Sequence, residues 1–318
     1  MNNPKVSIVI VNYNGKNLLQ HLLKSISKSA YKNYEIIVVD NNSSDGSREF
    51  AKGYNGVKLA ENKKNLGYSG INSALRYCKG RYILFLNNDM ELDKNCIAKL
   101  TEALESDKDA AMAAPKLVNF YDNSLKSGGT WASRSFYNGH IRGNGKNNPK
   151  VIPYLGVGLI KRDFVKKFGY LFDPDYFIYA EDLDLGLRIR LAGKKVLFEP
   201  NALMLHMHAA TAKKSGKPFT TFLMERNLLT TFFKILSLKS IFLFAPYVLT
   251  MRLLAILRDL AALNISSAIA RLKALLWIAL NFNFILKKRR EAQKMRKIGD
   301  KFILEVFSER YLFRPFIV

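Results

Sequence analysis

The chain has 318 residues, 48% of them hydrophobic, and its 50 Lys and Arg against 26 Asp and Glu give a formal charge of +24. That length and apolar content exclude an intrinsically disordered chain and provide for one large or two modest domains with a substantial core. So basic a surface is drawn to polyanions, whether nucleic acid, anionic lipid or phosphorylated substrates, while two cysteines, Cys78 and Cys96, are too few for a disulfide framework and fit a reducing compartment.

The opening MNNPKVSIVIVNYNG is a short β-branched run broken at Asn12 and Asn14, not a signal peptide. Val6–Val11 predicts a buried strand, and Leu18, Leu19, Leu22, Leu23 and Ile26 predict a helix after it. Ile36–Val39 and Val57–Leu59 predict the second and third strands. Ile71, Ala74, Leu75 and Cys78 share one helix face, Tyr82–Leu86 is a fourth strand, and Ile97, Leu100 and Leu104 mark the next helix. Such alternation predicts an α/β fold with a mostly parallel sheet covered by helices. Ligands of these sheets bind beyond the carboxyl ends of the strands. Three polar clusters fall there: Asn12–Asn14, Asp40–Asp45 and Asn87–Asp89.

The Gly- and Asn-rich stretch Ser135–Lys150 predicts a long loop, either a lid or a plain excursion. YLGVGLIKRDF then returns to a buried strand. FDPDYFIYAED leads into a helix over Asp182–Ala192, with Glu181, Asp182 and Asp184 at its start. From Phe219 onward the pattern is helical and very apolar, with isolated cations. Residues 211–318 carry 20 Lys and Arg against 6 Asp and Glu. The longest uncharged runs, Ser240–Met251 and Ala274–Leu286, fall short of the roughly 20 residues that span a bilayer.

Several of these residues have a plain structural reading beside a chemical one. Asp40 can accept hydrogen bonds from a base or ribose, or can cap a turn. Asp45 suits the cap of the following helix, and Asp93 suits a cap better than Asp89 does. The loop Glu61–Asn72 can offer N–H groups to phosphate, yet matches neither a P-loop nor the dinucleotide fingerprint. Asp89, at a strand end, is a candidate ligand for Mg²⁺ or Mn²⁺, ions that often take one or two carboxylates plus substrate phosphates. The cluster Glu181, Asp182 and Asp184 suits a helix N-terminus electrostatically, and equally supplies a general base for a hydroxyl nucleophile. Of His206 and His208, which alternate on a strand, one at most faces such a site.

In their order along residues 5–227, VSIVIVNYNG, IIVVDNNSSDGS, NLGYSGIN, YILFLNNDMEL, GVGLIKRDF, FIYAEDLDLGLRIRLAGKKVLFEPNALMLH and ERN resemble the family 2 glycosyltransferases of the GT-A fold. Within that family they look like the rhamnosyltransferase-like branch that builds surface polysaccharides. The resemblance implies a GT-A catalytic domain over 1–228 and a basic, amphipathic helical extension over 229–318. It implies inverting transfer from a nucleoside diphosphate sugar, dTDP-rhamnose or a UDP-sugar, to a glycan or lipid-linked acceptor. Asp40 would contact the base, with Asn12 and Asn14 nearby, and Asn65 and Gly67 would line the nucleotide pocket. Asp89 corresponds to the last carboxylate of the family's metal-binding Asp-x-Asp motif, Asp182 to the base and His206 to the metal-site histidine. Glu181 or Asp184 shares the base role as far as sequence separates them. Asn87 stands where many members carry the motif's first Asp, which lowers the charge of the metal site, and with Asn88 it would still bind the nucleotide.

The expectation is therefore a cytoplasmic enzyme, peripheral on the inner face of the membrane. Its basic helices would meet an anionic bilayer surface, pack on the core or form a homodimer contact. A sugar-phosphate nucleotidyltransferase would show a Gly- and Arg-rich loop after the first strand, which VNYNGKNL does not supply. A nucleic-acid-binding protein would gather its cations with aromatics on one platform. Here the excess sits in an apolar helical tail, so no nucleic-acid partner is expected.

Overall fold

The computed structural model describes residues 4–142, 149–207 and 217–308. The first half alternates as expected: β1 (Val6–Asn12), α1 (Lys16–Ser27), β2 (Tyr34–Asp40), α2 (Ser47–Gly53), β3 (Val57–Glu61), a 3₁₀ helix (Gly67–Tyr77), β4 (Tyr82–Asn87), β5 (Met90–Leu92) and α3 (Cys96–Ser106). Then come β6 (Ala110–Asn119), β7 (Leu125–Ser127), β8 (Thr130–Ala132), β9 (Asn138–His140), β10 (Val151–Ile152), β11 (Gly158–Lys161), α4 (Arg162–Phe168), α5 (Glu181–Leu191) and β12 (Lys195–His206). Five helices close the described chain: α6 (Lys217–Ile235), α7 (Leu238–Ala261), α8 (Ile265–Leu280), α9 (Phe282–Gln293) and α10 (Asp300–Leu304).

The main sheet runs β10-β12-β6-β11-β4-β1-β2-β3, with β5 on β12 and β7 on β6. The pairs β1–β2, β1–β4, β2–β3 and β6–β12 are parallel, and β11 enters antiparallel between β4 and β6. The central strands are continuous apolar runs because both of their faces are covered. Helix α1 turns Leu19, Leu22, Leu23 and Ile26 inward, each contributing about 1.5–3 kcal/mol by burial. Cys78 and Cys96 are free thiols, both buried.

Four expectations change. The segment after β3 tightens into 3₁₀ turns because side chains compete for its backbone: the Ser69 hydroxyl donates to the Leu66 carbonyl at 2.8 Å and Asn62 donates to that of Gly70 at 3.3 Å. Much of the stretch Ser135–Lys150 is anchored, with Ser135 and Phe136 fully buried and β9 paired with β8, while residues 143–148 lie outside the described residues. The boundary expected between residues 228 and 229 falls inside α6. A second apolar core there joins Leu183, Leu187 and Leu191 of α5 to Leu228, Phe232 and Ile235 of α6, and to Val248, Ile278 and Ile285 of the later helices. Finally, α7 is a single helix of 24 residues and, among the described residues, the one unbent helix long and apolar enough to cross a membrane; α8 and α9 pass that test only as a pair bent by 72°. Its length escaped the count of uncharged runs because Arg252, Arg258 and Asp259 interrupt the sequence.

Candidate active site

Parallel pairing brings the polar strand ends together. Asn12 sits opposite Asp40 in the β1–β2 register, and Asn87 lies beside Val11 in the β1–β4 register. Asn12 donates to Ser47 Oγ at 2.9 Å and to Asp40 Oδ1 at 3.4 Å, and Asn88 donates to Asn12 Oδ1 at 2.7 Å. The buried Asp40 carboxylate also accepts from the Ser43 N–H at 2.9 Å and faces Arg48 at 3.5 Å. It orders the loop at the sheet edge. Asn14, at φ 49°, accepts from the Ser44 N–H at 2.8 Å and so ties the β1 loop to the β2 loop. Asp45 serves two helices, accepting from Lys16 N–H at the start of α1 (2.9 Å) and from Ser47 N–H at the start of α2 (3.1 Å). Burial would raise its pKa, but these bonds and the Ser47 hydroxyl hold it below the usual value.

Across the loop after β3, Asn65 Oδ1 accepts from the Gly67 N–H at 2.8 Å, and Asn41 donates to the Gly67 carbonyl at 2.7 Å. Gly67 has φ +62°, and a Cβ there would stand 2.1 Å from the Phe177 carbonyl oxygen, so this loop closes on the segment before α5 only with glycine. The next residue, Tyr68, donates its N–H to the same Phe177 carbonyl at 2.7 Å.

Asp89 follows β4 in the turn to β5, and His206 ends β12, which pairs with β5. Their side chains meet, with His206 Nε2 3.1 Å from Asp89 Oδ2. Two donor atoms bound side by side on an octahedral ion, each at about 2.1 Å, stand about 3 Å apart, so the spacing fits a shared Mg²⁺ or Mn²⁺. Among the described residues, no third His, Cys, Asp or Glu joins them, which matches a site completed by substrate phosphates. His208 lies outside the described residues. Asp93 accepts from the Asn95 N–H at 2.8 Å in the turn before α3, and Asn95 takes the cap position.

The acidic cluster divides by direction. Positions two apart on a helix point about 200° from each other, so Asp182 and Asp184 cannot share a face. Asp184 is fully buried, 2.8 Å from Arg188 and 2.5 Å from Lys234, which the structure places in the interior and not with Asp182. Asp182 is half-buried and turned toward Gly156: a Cβ on Gly156 would stand 3.4 Å from Asp182 Oδ2. Burial raises the Asp182 pKa to about 6. Glu181 is buried with Oε2 lacking a hydrogen-bond partner, and burial, then the neighbouring Asp182, lifts it well above the carboxylate range. Of the two, Asp182 is the carboxyl that ionises near neutral pH.

Tyr68 joins these parts, although the sequence singles it out only as a letter in NLGYSGIN. Its hydroxyl donates to the Gly156 carbonyl at 2.6 Å. Its pKa is raised well above the phenol value, first by burial and then by the charges of Glu181, Asp182 and Asp89.

The loop that presents Asp182 is strained. Phe177, Tyr179 and Ala180 all have φ between 61° and 71°. Asn227 holds it by donating to the carbonyls of Tyr176 (3.1 Å), Ile178 (3.1 Å) and Tyr179 (2.7 Å), and Arg226 donates to that of Asp175 at 3.0 Å. The preceding Glu225 is buried against Arg252, 3.2 Å away, and Arg271. The tripeptide ERN therefore fastens the loop on one side and α7 and α8 on the other.

Residues 7–169, about half of the chain, match the glycosyl transferase family 2 profile. The chain belongs to that family. It is 37% identical over 89 residues to the UDP-Glc:alpha-D-GlcNAc-diphosphoundecaprenol beta-1,3-glucosyltransferase WfgD of Escherichia coli, a match covering 26% of this chain and 34% of that protein. With the rhamnosyltransferase WbbL of Escherichia coli (strain K12) it is 26% identical over 223 residues, 63% of this chain and 83% of the relative. The crystal structure of GalNAc-T7 with UDP, GalNAc and Mn²⁺ superposes with a TM-score of 0.58 at 20% identity, covering 72% of this chain and 48% of that one. The family 2 chain thus has the GT-A fold. It spans about a third of the first of these relatives and less than half of GalNAc-T7.

Proposed function

We propose that the chain transfers a sugar, with inversion, from a nucleoside diphosphate sugar to a hydroxyl of a glycan or lipid-linked acceptor in surface polysaccharide synthesis. The observation that carries this reading is geometric: Asp89 meets His206 at 3.1 Å at the strand ends, and Asp182 stands beside Gly156, whose carbonyl accepts from the Tyr68 hydroxyl at 2.6 Å. The polar strand ends Asn12, Asn14, Asp40, Asn87 and Asn88, with the Asn65–Gly67 loop, form the donor side. Asp89 and His206 would hold a divalent ion, which when bound offsets charge on the departing diphosphate. Asp182 takes the proton of the acceptor hydroxyl as its oxygen attacks the anomeric carbon, and the bond to the diphosphate oxygen breaks in line. Gly156, having no side chain, leaves room for the acceptor beside Asp182. The family relationship, and the UDP and Mn²⁺ that accompany GalNAc-T7 in its crystal structure, support a nucleotide donor with a metal. The names of the rhamnosyltransferase WbbL and of WfgD, which uses UDP-Glc on a diphosphoundecaprenol-linked acceptor, favour rhamnose or glucose as the sugar, a nucleoside diphosphate donor and a lipid-linked acceptor.

Calorimetry with dTDP-rhamnose, UDP-sugars and GDP-mannose, in Mn²⁺, Mg²⁺ or EDTA, tests the reading. Selective binding that weakens in EDTA is expected. Binding indifferent to EDTA would remove Asp89 and His206 as metal ligands, and no binding by a folded sample would end the donor assignment.

A further inference from the structure

The helices α7 and α8 are inside out. Most positions of α7 that face away from the protein are apolar, among them Phe242, Leu243, Leu249, Leu253, Leu257 and Leu260, with Leu243 68% and Leu257 60% exposed. Arg252 and Asp259, in the second half of α7, turn the other way, while the Arg258 side chain is 34% exposed. Arg252 is buried on Glu225 and the Ser135 carbonyl, and Asp259 is bound by Arg271 at 2.8 Å and by Arg258 at 2.9 Å. Helix α8 repeats the pattern with Ile265, Ile269, Leu272, Leu276 and Leu280, of which Leu276 is 58% and Leu280 76% exposed. A helix of a water-facing surface puts its charges outward, and a contiguous apolar face of this size marks a contact surface. An apolar groove of about 460 Å³, lined in part by Leu249, Leu253, Ile278 and Phe282, opens on the same face.

Charge identifies what covers it. Lys239 and Lys273 stand exposed among these leucines, and beyond the 72° bend α9 carries exposed Lys287 and Arg290, followed by Lys294. Between residues 238 and 294 the sequence has two acidic residues, Asp259 and Glu291, and Asp259 is buried. A second copy seated symmetrically on this face would bring like charges together, whereas an anionic leaflet complements them. Val248, Met251, Ala255 and Ile256 hold the second half of α7 against the protein, an arrangement that suits a helix lying in the membrane plane.

We propose that the α7–α8 face seats in the interfacial zone of an anionic bilayer, helices in the membrane plane and cations on lipid phosphates. This stands independently of the transfer reading, and if both hold, it brings a lipid-linked acceptor to the Asp182 cleft. The test is flotation of the full chain with vesicles of pure phosphatidylcholine, or with about 30% phosphatidylglycerol, at low and high salt. The protein is expected to float with the anionic vesicles and to release at high salt. Leu253→Glu, Leu257→Glu and Leu276→Glu together should weaken flotation by about a thousandfold or more, the loss expected on losing three buried leucines. The thermal melt and nucleotide-sugar binding should stay as in the wild type. Lys287→Glu with Arg290→Glu should remove the salt-sensitive part. Equal binding to both vesicle types would overturn the anionic assignment. Absence of flotation with either would overturn the proposal, and so would a dimer in light scattering that the same glutamates dissolve, since the face would then join two copies.

Discussion

Asp182 and Asp184 are two residues apart and chemically identical, and the fold gives them opposite work. Asp182 is expected to ionise at about pH 6, so activity should fall as pH drops below that value. Its folded pKa lies above the ordinary 3.8, so the folded form holds this proton more tightly than the unfolded chain. The carboxyl therefore costs stability, on the order of 3 kcal/mol, as pH rises from about 4 to about 6. Asp182→Asn should accordingly lose about 10²–10⁴ in transfer rate while raising the thermal midpoint at pH 7.5 and leaving donor affinity unchanged. A lower midpoint would show the carboxylate to be structural. His206→Ala should weaken metal-dependent donor binding by at least about the 10–100-fold that even outer partners of a metal ligand cost, read by titrating Mn²⁺. Asp182, Asp89 and His206 were legible in the sequence because polar residues at strand ends and helix starts point at a sheet edge. Tyr68 and Asp184 were not, since a lone tyrosine carries no pattern and the direction of a helix face depends on where the helix begins.

At the scale of elements, the loop from Asp173 to Ala180 is the feature that sequence reading missed. Three residues in the left-handed region cost about 1–3 kcal/mol each and persist only if something holds them. Asn227 does so from α6, and a carboxylate of the same size cannot donate. Asn227→Asp should therefore lower the thermal midpoint and slow transfer while donor affinity measured by calorimetry stays within twofold or so, about 0.4 kcal/mol. Loss of donor binding instead would place Asn227 in the donor pocket. Behind the loop, Lys234 lies 2.8 Å from Asp173 and 2.5 Å from Asp184, and Lys288 adds a second cation to Asp173. Burial would raise the Asp173 pKa, but Lys234 and Lys288 hold it far below the usual range. Stability from this group is present above an unfolded value near 4 and is lost as pH falls below it. Lys234→Met would leave two buried carboxylates short of a cation and should cost about 3–5 kcal/mol in urea unfolding. The strands were legible because continuous β-branched runs have few alternatives. The clamp was not, because ERN reads as three polar letters on a helix until its partners, some fifty residues away, are in place.

At the scale of the whole molecule, the C-terminal helices complete the catalytic body. Leu183, Leu187 and Leu191 behind the Asp182 loop are covered by α6 and its neighbours, so a chain ending at residue 228 is expected to aggregate when expressed. A soluble fragment with a cooperative melt would contradict that. The +24 charge and the apolar tail were visible in the sequence, but the inversion of α7 was not. Arg252 and Asp259 count as breaks in an apolar run until the structure turns them toward Glu225 and Arg271.

The most direct measurement is release of nucleoside diphosphate from the sugar donor that calorimetry selects, with bacterial lipid extract as acceptor, for the wild type and Asp182→Asn across pH 4.5 to 8, a window centred about the Asp182 titration. The wild-type rate should fall below about pH 6, and the variant should bind the donor equally yet turn over at least about a hundredfold more slowly throughout. A variant that matches the wild type in rate and pH profile would contradict the assignment of Asp182 as the base.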